Sequence, residues 1–273
     1  MGINPLTQSV IDSFSQTDDP RLKQILSSLV KHLHAFAEDV KLTEAEWFKG
    51  IEFLTATGQK CTDTRQEFIL LSDVLGLSML TVSINHDKPT GGTEATVFGP
   101  FYVNDAPHYE NGEDVSNGAS GQPCSVSGMV KNNSGQPISG AVIDVWQADD
   151  EGFYDVQKEN LSQAQARGVL TSQSDGTFNF KTIVAEAYPI PMDGPVGTML
   201  EASSRSPWRP AHLHFMIKAE GYETLITHVF KKGDSYLHSD PVFGVRHSLI
   251  ADWVAHADGS TTLNFDFVLN KVA

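Results

Sequence analysis

The chain has 273 residues, which is long enough to bury a substantial core and predicts one large domain or two unequal ones. Its 34 acidic residues outnumber its 19 basic residues, and the formal net charge at pH 7 is -15. Because this charge repels phosphate backbones and anionic lipid surfaces, we expect no nucleic-acid partner.

The sequence carries no signal for a membrane or an oxidising compartment. It shows no basic-then-apolar segment at its beginning, and the apolar stretch from Val74 to Val82 is shorter than the ~20 residues that span a bilayer. Cys61 and Cys124 lie far apart and form no C-x-x-C pair, so we expect reduced thiols and no thiolate metal site. These features together predict a cytoplasmic protein.

Helical periodicity runs from Asp19 to His86. Asp19 is a candidate N-cap followed by proline at the first helical position, and apolar residues then recur at spacings of three and four. Two capping boxes, each a threonine followed three residues later by a glutamate, mark further helix starts. They are Thr43 with Glu46 and Thr64 with Glu67. The sequence therefore predicts three helices, roughly over 20–40, 44–59 and 65–84.

The third of these helices is apolar on more than one side. One stripe is formed by Leu71, Leu75 and Met79, while further apolar residues lie elsewhere on the helix, namely Ile69, Leu77 and Leu80. Packing on the same chain could cover the excess. We expect instead that it is covered in a homodimer.

After Pro89 the pattern changes to short runs rich in valine, isoleucine and phenylalanine, separated by turn residues. The predicted strands are Ser125 to Val130, Ala141 to Trp146, Gly168 to Ser172, Phe178 to Val184, His212 to Ile217, Leu225 to Phe230 and Leu263 to Val268. Asp175-Gly176 predicts a type I′ hairpin. Many strands without interleaved helices favour an antiparallel β-sandwich. The expected fold is mixed α and β, with a helical dimerisation domain over 1–90 and a catalytic β-sandwich domain over 91–273.

Two histidines, His212 and His214, stand one residue apart in a predicted strand. Alternate strand residues point to the same face, so both imidazoles can reach one point in space. Two neutral imidazole nitrogens that converge in this way are half of a metal site. A pair of histidines on an exposed strand face is the alternative interpretation.

Two tyrosines, Tyr154 and Tyr188, lie in loop sequence beside glycine or proline, outside the alternating apolar pattern. A phenol with a pKa near 10 ligates a metal only when a strong Lewis acid stabilises the phenolate, which favours Fe(III) over Zn(II), Mg(II) or Fe(II). Two tyrosines and two histidines would leave a coordination position for substrate. Packed aromatic side chains that hydrogen bond to backbone are the alternative.

Three phrases carry a family resemblance: G-F-Y-D around Tyr154, Y-P-I-P-x-D-G-P from Tyr188, and R-P-A-H-L-H-F from Arg209. In this order they resemble the intradiol ring-cleaving dioxygenases of the catechol and hydroxyquinol 1,2-dioxygenase group, and the resemblance covers nearly the whole chain. It implies one non-haem Fe(III) per chain, with Tyr154 and His212 as equatorial ligands and Tyr188 and His214 as axial ligands.

The resemblance also implies the activity and the assembly. Oxygen from O2 would be inserted between the two hydroxylated carbons of an aromatic diol or triol, which opens the ring to a muconate. Tyr188 matches the tyrosine that leaves the metal and accepts a substrate proton, and Arg209 matches the arginine that stabilises negative charge on the ring. The helical part matches the family's dimer linker, so a homodimer that holds phospholipid is implied.

One departure from the catechol-specific pattern indicates the substrate. His228 stands where those members usually carry glutamine, which favours hydroxyquinol or chlorocatechol. Ten other positions match the substrate pocket of hydroxyquinol dioxygenases, namely Leu70, Asp73, Val97, Phe98, Gly99, Pro100, Phe101, Ile190, Pro191 and Val242. Arg209 is also part of that pocket. Asp73 lies in an apolar helix and needs a partner there, which a third ring hydroxyl or a protein group would supply. We expect cleavage of hydroxyquinol to 3-hydroxy-cis,cis-muconate, with catechol or chlorocatechol as the alternative.

Proteins of other classes share parts of this pattern. The predicted strands also resemble prealbumin-like binding domains, which would not require the two tyrosines and two histidines together. A cupin uses H-x-H too, but the first acid after His214 is Glu220, with five residues between them. Three H-x-D or H-x-E pairs could serve a ferrous facial-triad oxygenase, at His108, His238 and His256. No C-x-H cluster supports a Rieske centre.

Overall fold

A computed structural model describes residues 4–62, 65–86, 91–159 and 161–272. The chain divides into two compact units, Met1–Ala56 and Thr57–Ala273. The expected domain boundary near residue 90 stays a prediction, because residues 87–90 lie outside the described part of the chain.

The first unit is helical. It contains α1 (Pro5–Ser13), a short 3₁₀ turn (Phe14–Gln16) and α2 (Pro20–Val40), and α3 (Glu44–Lys60) begins within it. The prediction for α2 is confirmed: the Asp19 carboxylate accepts hydrogen bonds from the amides of Arg21 and Leu22. Helix α1, capped by Asn4, was not predicted.

The apolar stripe of α2 is largely uncovered. Its leucine, isoleucine, phenylalanine and valine side chains keep roughly half of their surface exposed, and they are Leu22, Ile25, Leu29, Leu33, Phe36 and Val40. A contiguous apolar face of this size is unusual on a monomer and is typical of an interaction surface.

The predicted helix over 65–84 is wrong as a single helix. The structure has two helices instead, α4 (Glu67–Val74) and α5 (Leu77–His86), which meet at an angle of 74°. Gly76 adopts a φ of +74°, a left-handed conformation that ends α4 at little cost for glycine. The capping box of Thr43 with Glu46 is confirmed, while Thr64 lies outside the described residues. None of the described helices alone is long and apolar enough to cross a bilayer, although α4 and α5 reach that criterion as a bent pair.

The second unit contains two five-stranded sheets and a small ladder. In the first sheet, β1 (Pro123–Asn132) pairs with β4 (Thr177–Ile183) on one side and with β11 (Thr261–Asn264) and β12 (Phe267–Leu269) on the other, and β10 (Trp253–Ala255) pairs with β11. The second sheet runs in the order β3 (Arg167–Thr171), β2 (Val142–Gln147), β7 (His212–Lys218), β8 (Leu225–Lys231) and β9 (Ile250–Ala251). The two-stranded ladder joins β5 (Tyr188–Pro189) to β6 (Trp208–Arg209).

The mixed α and β fold class is confirmed, but the sheets are not purely antiparallel. Strand β1 runs parallel to β11 and β12, and β8 runs parallel to β9. The predicted seventh strand is split between β11 and β12. Phe265 separates these two strands, and its carbonyl approaches Gly128 so closely that a Cβ on Gly128 would lie 1.8 Å from the oxygen.

Two further expectations for this unit are wrong. Helix α6 (Pro195–Ala202) interrupts the strands. Asp175-Gly176 does not form a type I′ hairpin, because only Gly176 has a positive φ. The strands on either side belong to different sheets, since β3 pairs with β2 and β4 pairs with β1. The turn therefore carries the chain from one sheet to the other.

Successive side chains of β7 point alternately into the core and to the opposite face of the sheet. Leu213, Phe215 and Ile217 point into the core between the two sheets. His212 and His214 therefore lie on the other face, yet each is only 1% exposed. Loops cover this outer face and make a buried polar cluster possible there.

Candidate metal centre

The central histidines are held by three neighbouring strands. In the antiparallel register, His214 of β7 lies opposite Trp146 of β2 and opposite His228 of β8. The Trp146 ring stacks on the His214 imidazole, with ring centroids 4.7 Å apart and an interplanar angle of 20°. Contacts within this sheet therefore orient the His214 imidazole without help from the loops.

The two tyrosines come from segments outside this sheet. Tyr154 precedes a 3₁₀ turn (Asp155–Gln157), and its amide donates to the Gln157 side chain. Tyr188 lies in β5, directly opposite Arg209 of β6. Because Arg209 lies only three residues before His212, this short ladder brings Tyr188 to the histidine pair.

Four donor atoms converge in the buried interior. Tyr154 Oη lies 2.8 Å from His214 Nε2 and 3.4 Å from both His212 Nε2 and Tyr188 Oη. The two imidazole Nε2 atoms are 3.2 Å apart. All four predicted metal ligands are thus brought together, at 0–5% exposure.

The protonation of the histidines suits metal binding. Burial lowers the pKa of His212 and of His214 well below 6.5, which favours the neutral imidazole. The Pro210 carbonyl can only accept a hydrogen bond, so His212 Nδ1 donates to it over 2.7 Å and His212 Nε2 keeps its lone pair. That nitrogen lies 3.2 Å from His214 Nε2 and 3.4 Å from Tyr154 Oη, within the donor cluster.

The two phenols can act as metal ligands only if the bound ion is a strong Lewis acid. Burial and the neighbouring Tyr188 raise the pKa of Tyr154 well above 10, so the isolated side chain stays a neutral phenol. A bound trivalent ion would favour the phenolate. Two phenol oxygens and two imidazole nitrogens are a hard and intermediate donor set, and this set fits non-haem iron.

Arg209 is buried beside these donors. Its Nη1 lies 3.3 Å from Tyr188 Oη and 3.2 Å from His212 Nε2, and its Nε donates to Asp240 Oδ1 over 3.1 Å. Arg209 Nη2 is buried without a partner in the described part of the chain. A donor of this kind can serve a group that enters the site.

The predicted pocket segment from residue 97 to 101 lies against the cluster. Phe101 stacks on Tyr154 with centroids 4.3 Å apart, and Phe98 contacts the Trp146 ring. Gly99 has a φ of +76°, and a Cβ there would lie 3.3 Å from His214 Cε1. The absence of a side chain at this position keeps the segment close to the histidine.

Other predicted pocket residues form its apolar wall. Val97 and Val242 are buried together with Met79 of α5, and Ile190 is 4% exposed. Leu70 and Pro191 are half-buried, and Pro100 is exposed.

Asp73 of α4 is buried, with 6% of its surface exposed. Burial raises the pKa of its carboxyl, while a hydrogen bond from Ser78 and the charge of Arg209 act in the opposite direction. Asp73 therefore has a protein partner in Ser78 and lies within the electrostatic reach of Arg209.

A third histidine lies beside the four donors. His228 Nδ1 lies 2.6 Å from Thr96 Oγ1, and its Nε2 is buried without a partner among the described residues. Donor atoms of His212, His214 and His228 all lie within 4.8 Å of one another, so three histidines are an alternative donor set. Within the described ranges, the H-x-D and H-x-E pairs at His108, His238 and His256 join no such group.

Several residues of the site were not predicted. Asp240 was considered only as one member of an H-x-D pair, yet it binds Arg209. Arg167 pairs with Asp155 and donates to the Phe101 carbonyl over 3.0 Å, and Thr96 contacts His228. The only sequence signal for Asp155 was its place in G-F-Y-D, directly after Tyr154.

Comparison with known families defines the class of the protein. The family model described as "Dioxygenase" matches residues 97–271, and the one described as "Catechol dioxygenase N terminus" matches residues 19–93. The chain belongs to the intradiol ring-cleaving dioxygenase family, whose members use non-haem iron.

Individual relatives are similar over almost their full length. The 6-chlorohydroxyquinol 1,2-dioxygenase of Cupriavidus pinatubonensis is 65% identical over 97% of this chain and 96% of its own. The hydroxyquinol 1,2-dioxygenase of Nocardioides simplex is 51% identical over 94% of this chain and 87% of its own. The crystal structure of hydroxyquinol 1,2-dioxygenase from Pseudomonas putida DLL-E4 has a TM-score of 0.92 at 47% identity and covers 98% of both chains.

Proposed function

We propose that the protein cleaves hydroxyquinol between its two adjacent hydroxylated carbons, with O2 as co-substrate, to give 3-hydroxy-cis,cis-muconate, the enol tautomer of maleylacetate. The observation that carries this proposal is the convergence of two phenols and two imidazoles beside Arg209. The names of the relatives described above support the choice of hydroxyquinol.

Tyr154, Tyr188, His212 and His214 would hold one ferric ion per chain. An ion held there would supply the Lewis-acid chemistry that makes the ring of the diol reactive towards O2. The three-histidine alternative shares His212 and His214 with this set, so Tyr154 and His228 are the residues that distinguish the two.

The protein groups around the ion would handle protons and charge. Tyr188, as the phenolate that the ion would favour, would accept one of the two substrate hydroxyl protons and become a neutral phenol, and Arg209 Nη1 lies 3.3 Å from its oxygen. The Arg209 guanidinium can stabilise negative charge that develops on the ring, and its Nη2 has no hydrogen-bond partner among the described residues. The surrounding aromatic side chains, including Phe101 and Trp146, would exclude water from this chemistry.

Asp73 is the group that would recognise the third hydroxyl of hydroxyquinol. It is buried, and its predicted pocket neighbours Val97 and Val242 are apolar. The third ring hydroxyl would donate a hydrogen bond to this carboxylate. A substrate without that hydroxyl could not make this bond. Leu70, Ile190, Pro191, His228 and the segment over 97–101 would complete the pocket.

Steady-state rates on three rings test the proposal. We expect the kcat/KM of the iron-loaded protein to be higher on hydroxyquinol than on either catechol or 4-chlorocatechol. The rates are measured as O2 uptake, and the products are identified by mass spectrometry. A preference for catechol or chlorocatechol would contradict the substrate assignment. A colourless, inactive protein that binds the ring unchanged would instead indicate a prealbumin-like binding module.

The assembly is also a proposal. The exposed apolar stripe of α2 supports a homodimer, and so, independently, do the exposed apolar residues of α4 and α5; exposed side chains of this kind could also hold the acyl chains of a phospholipid. The division into a helical segment over 1–90 and a catalytic segment over 91–273, and the cytoplasmic location, stay predictions.

A further inference from the structure

Asp240 is a buried carboxylate that faces the guanidinium of Arg209. The Arg209 and Asp240 side chains are only 4% and 3% exposed, and Arg209 Nε donates to Asp240 Oδ1 over 3.1 Å. The other carboxylate oxygen, Oδ2, accepts the amide of Gly244 over 2.9 Å. Both oxygens of Asp240 are therefore occupied, and neither is directed towards the tyrosine and histidine donors.

The backbone around Asp240 holds this carboxylate rigidly. The Asp240 carbonyl accepts the amide of Phe243 over 3.1 Å, which closes a tight turn. Arg205 donates to the Pro241 carbonyl over 2.9 Å and to the Val74 carbonyl, and thereby ties the turn to the end of α4. The carboxylate thus has a fixed position relative to the site.

The contact with Asp240 uses one end of a planar guanidinium. Because the guanidinium is rigid, fixing Nε also fixes the directions of Nη1 and Nη2. Nη1 then faces Tyr188 and His212, while Nη2 remains unpartnered within the described residues. A buried arginine without this carboxylate would have an uncompensated charge and a choice of rotamers.

We propose that Asp240 is a positioning residue that acts on the ring-cleaving reaction through Arg209. It binds neither metal nor substrate. It holds the guanidinium so that Nη1 meets the Tyr188 phenol and His212 Nε2. The kinetic part of this proposal rests on the proposed function.

A double-mutant cycle tests whether Asp240 acts through Arg209. Asp240→Asn keeps the size of the side chain and removes its charge, and we expect kcat on hydroxyquinol to fall about 10-fold or more with iron content retained. In the Arg209→Ala background, we expect the same substitution to change kcat by less than about two-fold. Equal fold losses in both backgrounds, or wild-type kcat in iron-loaded Asp240→Asn, would overturn the proposal.

Gly244→Ala provides a second variant that leaves every charge in place. A Cβ at Gly244 would lie 3.2 Å from Asp240 Oδ2 and 3.3 Å from Arg209 Nη2, so the pair must shift by a few tenths of an ångström. We expect a loss of kcat of about three-fold or more that disappears in the Arg209→Ala background. If Asp240→Asn does not fold, this cycle decides the proposal, and a loss that persists without Arg209 would overturn it.

Thermal unfolding of the metal-free protein tests the pairing independently of activity. We expect Asp240→Asn to lower Tm and the double variant with Arg209→Ala to regain part of that loss, because the second change removes the unpaired charge. Asp252→Asn is the matched control, since its ion pair with Lys232 is more than 60% exposed, and it should leave Tm and kcat unchanged. Additive losses of Tm would overturn the pairing. An inactive wild-type protein that still shows the coupling would refute the proposed function alone.

Discussion

Replacement of Asp73 should affect one substrate more than another. Asp73 is 6% exposed, and Ser78 donates a hydrogen bond to its carboxylate. A hydrogen bond to a charged group contributes about 1.5 to 3 kcal/mol, which corresponds to roughly 10- to 100-fold in kcat/KM. Hydroxyquinol can make this bond through its third hydroxyl and catechol cannot. Asp73→Ala should therefore lower kcat/KM on hydroxyquinol by about 10- to 100-fold more than on catechol.

The assay is O2 consumption by iron-loaded wild type and variant on both rings, at matched iron content. Ser78→Ala is the control, since it removes the protein partner of Asp73 and leaves the carboxylate in place. We expect it to preserve the preference for hydroxyquinol. Equal losses on the two rings in Asp73→Ala would refute the reasoning and assign Asp73 a purely structural role.

Three further predictions concern charge, pH and assembly. Arg209→Ala should retain iron yet lower kcat by ~10²-fold, and full activity would refute its role in charge stabilisation. Hydrogen bonds from Arg65 and Lys60 lower the pKa of Asp193 from 3.8 to about 2. The stabilisation it contributes is therefore present above its unfolded pKa of about 4 and is lost as the pH falls through about 2. The difference in unfolding free energy between wild type and Asp193→Asn, from urea titrations, should shrink over that range, and a constant difference would contradict the assignment. Light scattering should give twice the chain mass, whereas Leu29→Glu on α2 should shift the protein towards the monomer; an active wild-type monomer would refute the dimer.

The sequence predicted those parts of the fold that local patterns determine. Apolar spacing and the cap at Asp19 located α2, and alternation from His212 to Ile217 located β7 and placed both histidines on the same face of it. The direction of strand pairing depends on long connections that leave no local pattern, so the parallel partners of β1 were missed. The break at Gly76 had a visible signal in the glycine, but continuous apolar periodicity on both sides favoured a single helix.

The donor cluster was predicted more completely than the groups that support it. Tyr154, Tyr188 and the two histidines belong to residue types with recognisable metal chemistry. The partner of Arg209 could not be identified in this way, because Asp240 lies 31 residues away and acidic residues are common in this chain. Contacts of this kind arise only when loops pack over a sheet, and sequence spacing does not encode them.

The visible absorption of the iron-loaded protein, measured with its iron content, tests the central claim most directly. We expect about one iron per chain and a broad phenolate-to-Fe(III) absorption band in the wild type, which a four-ligand site with two tyrosines would give. Tyr154→Phe should lose much of this band, whereas His228→Gln should keep it. A Tyr154→Phe variant with full iron loading and unchanged colour would contradict the account and favour the site of three histidines.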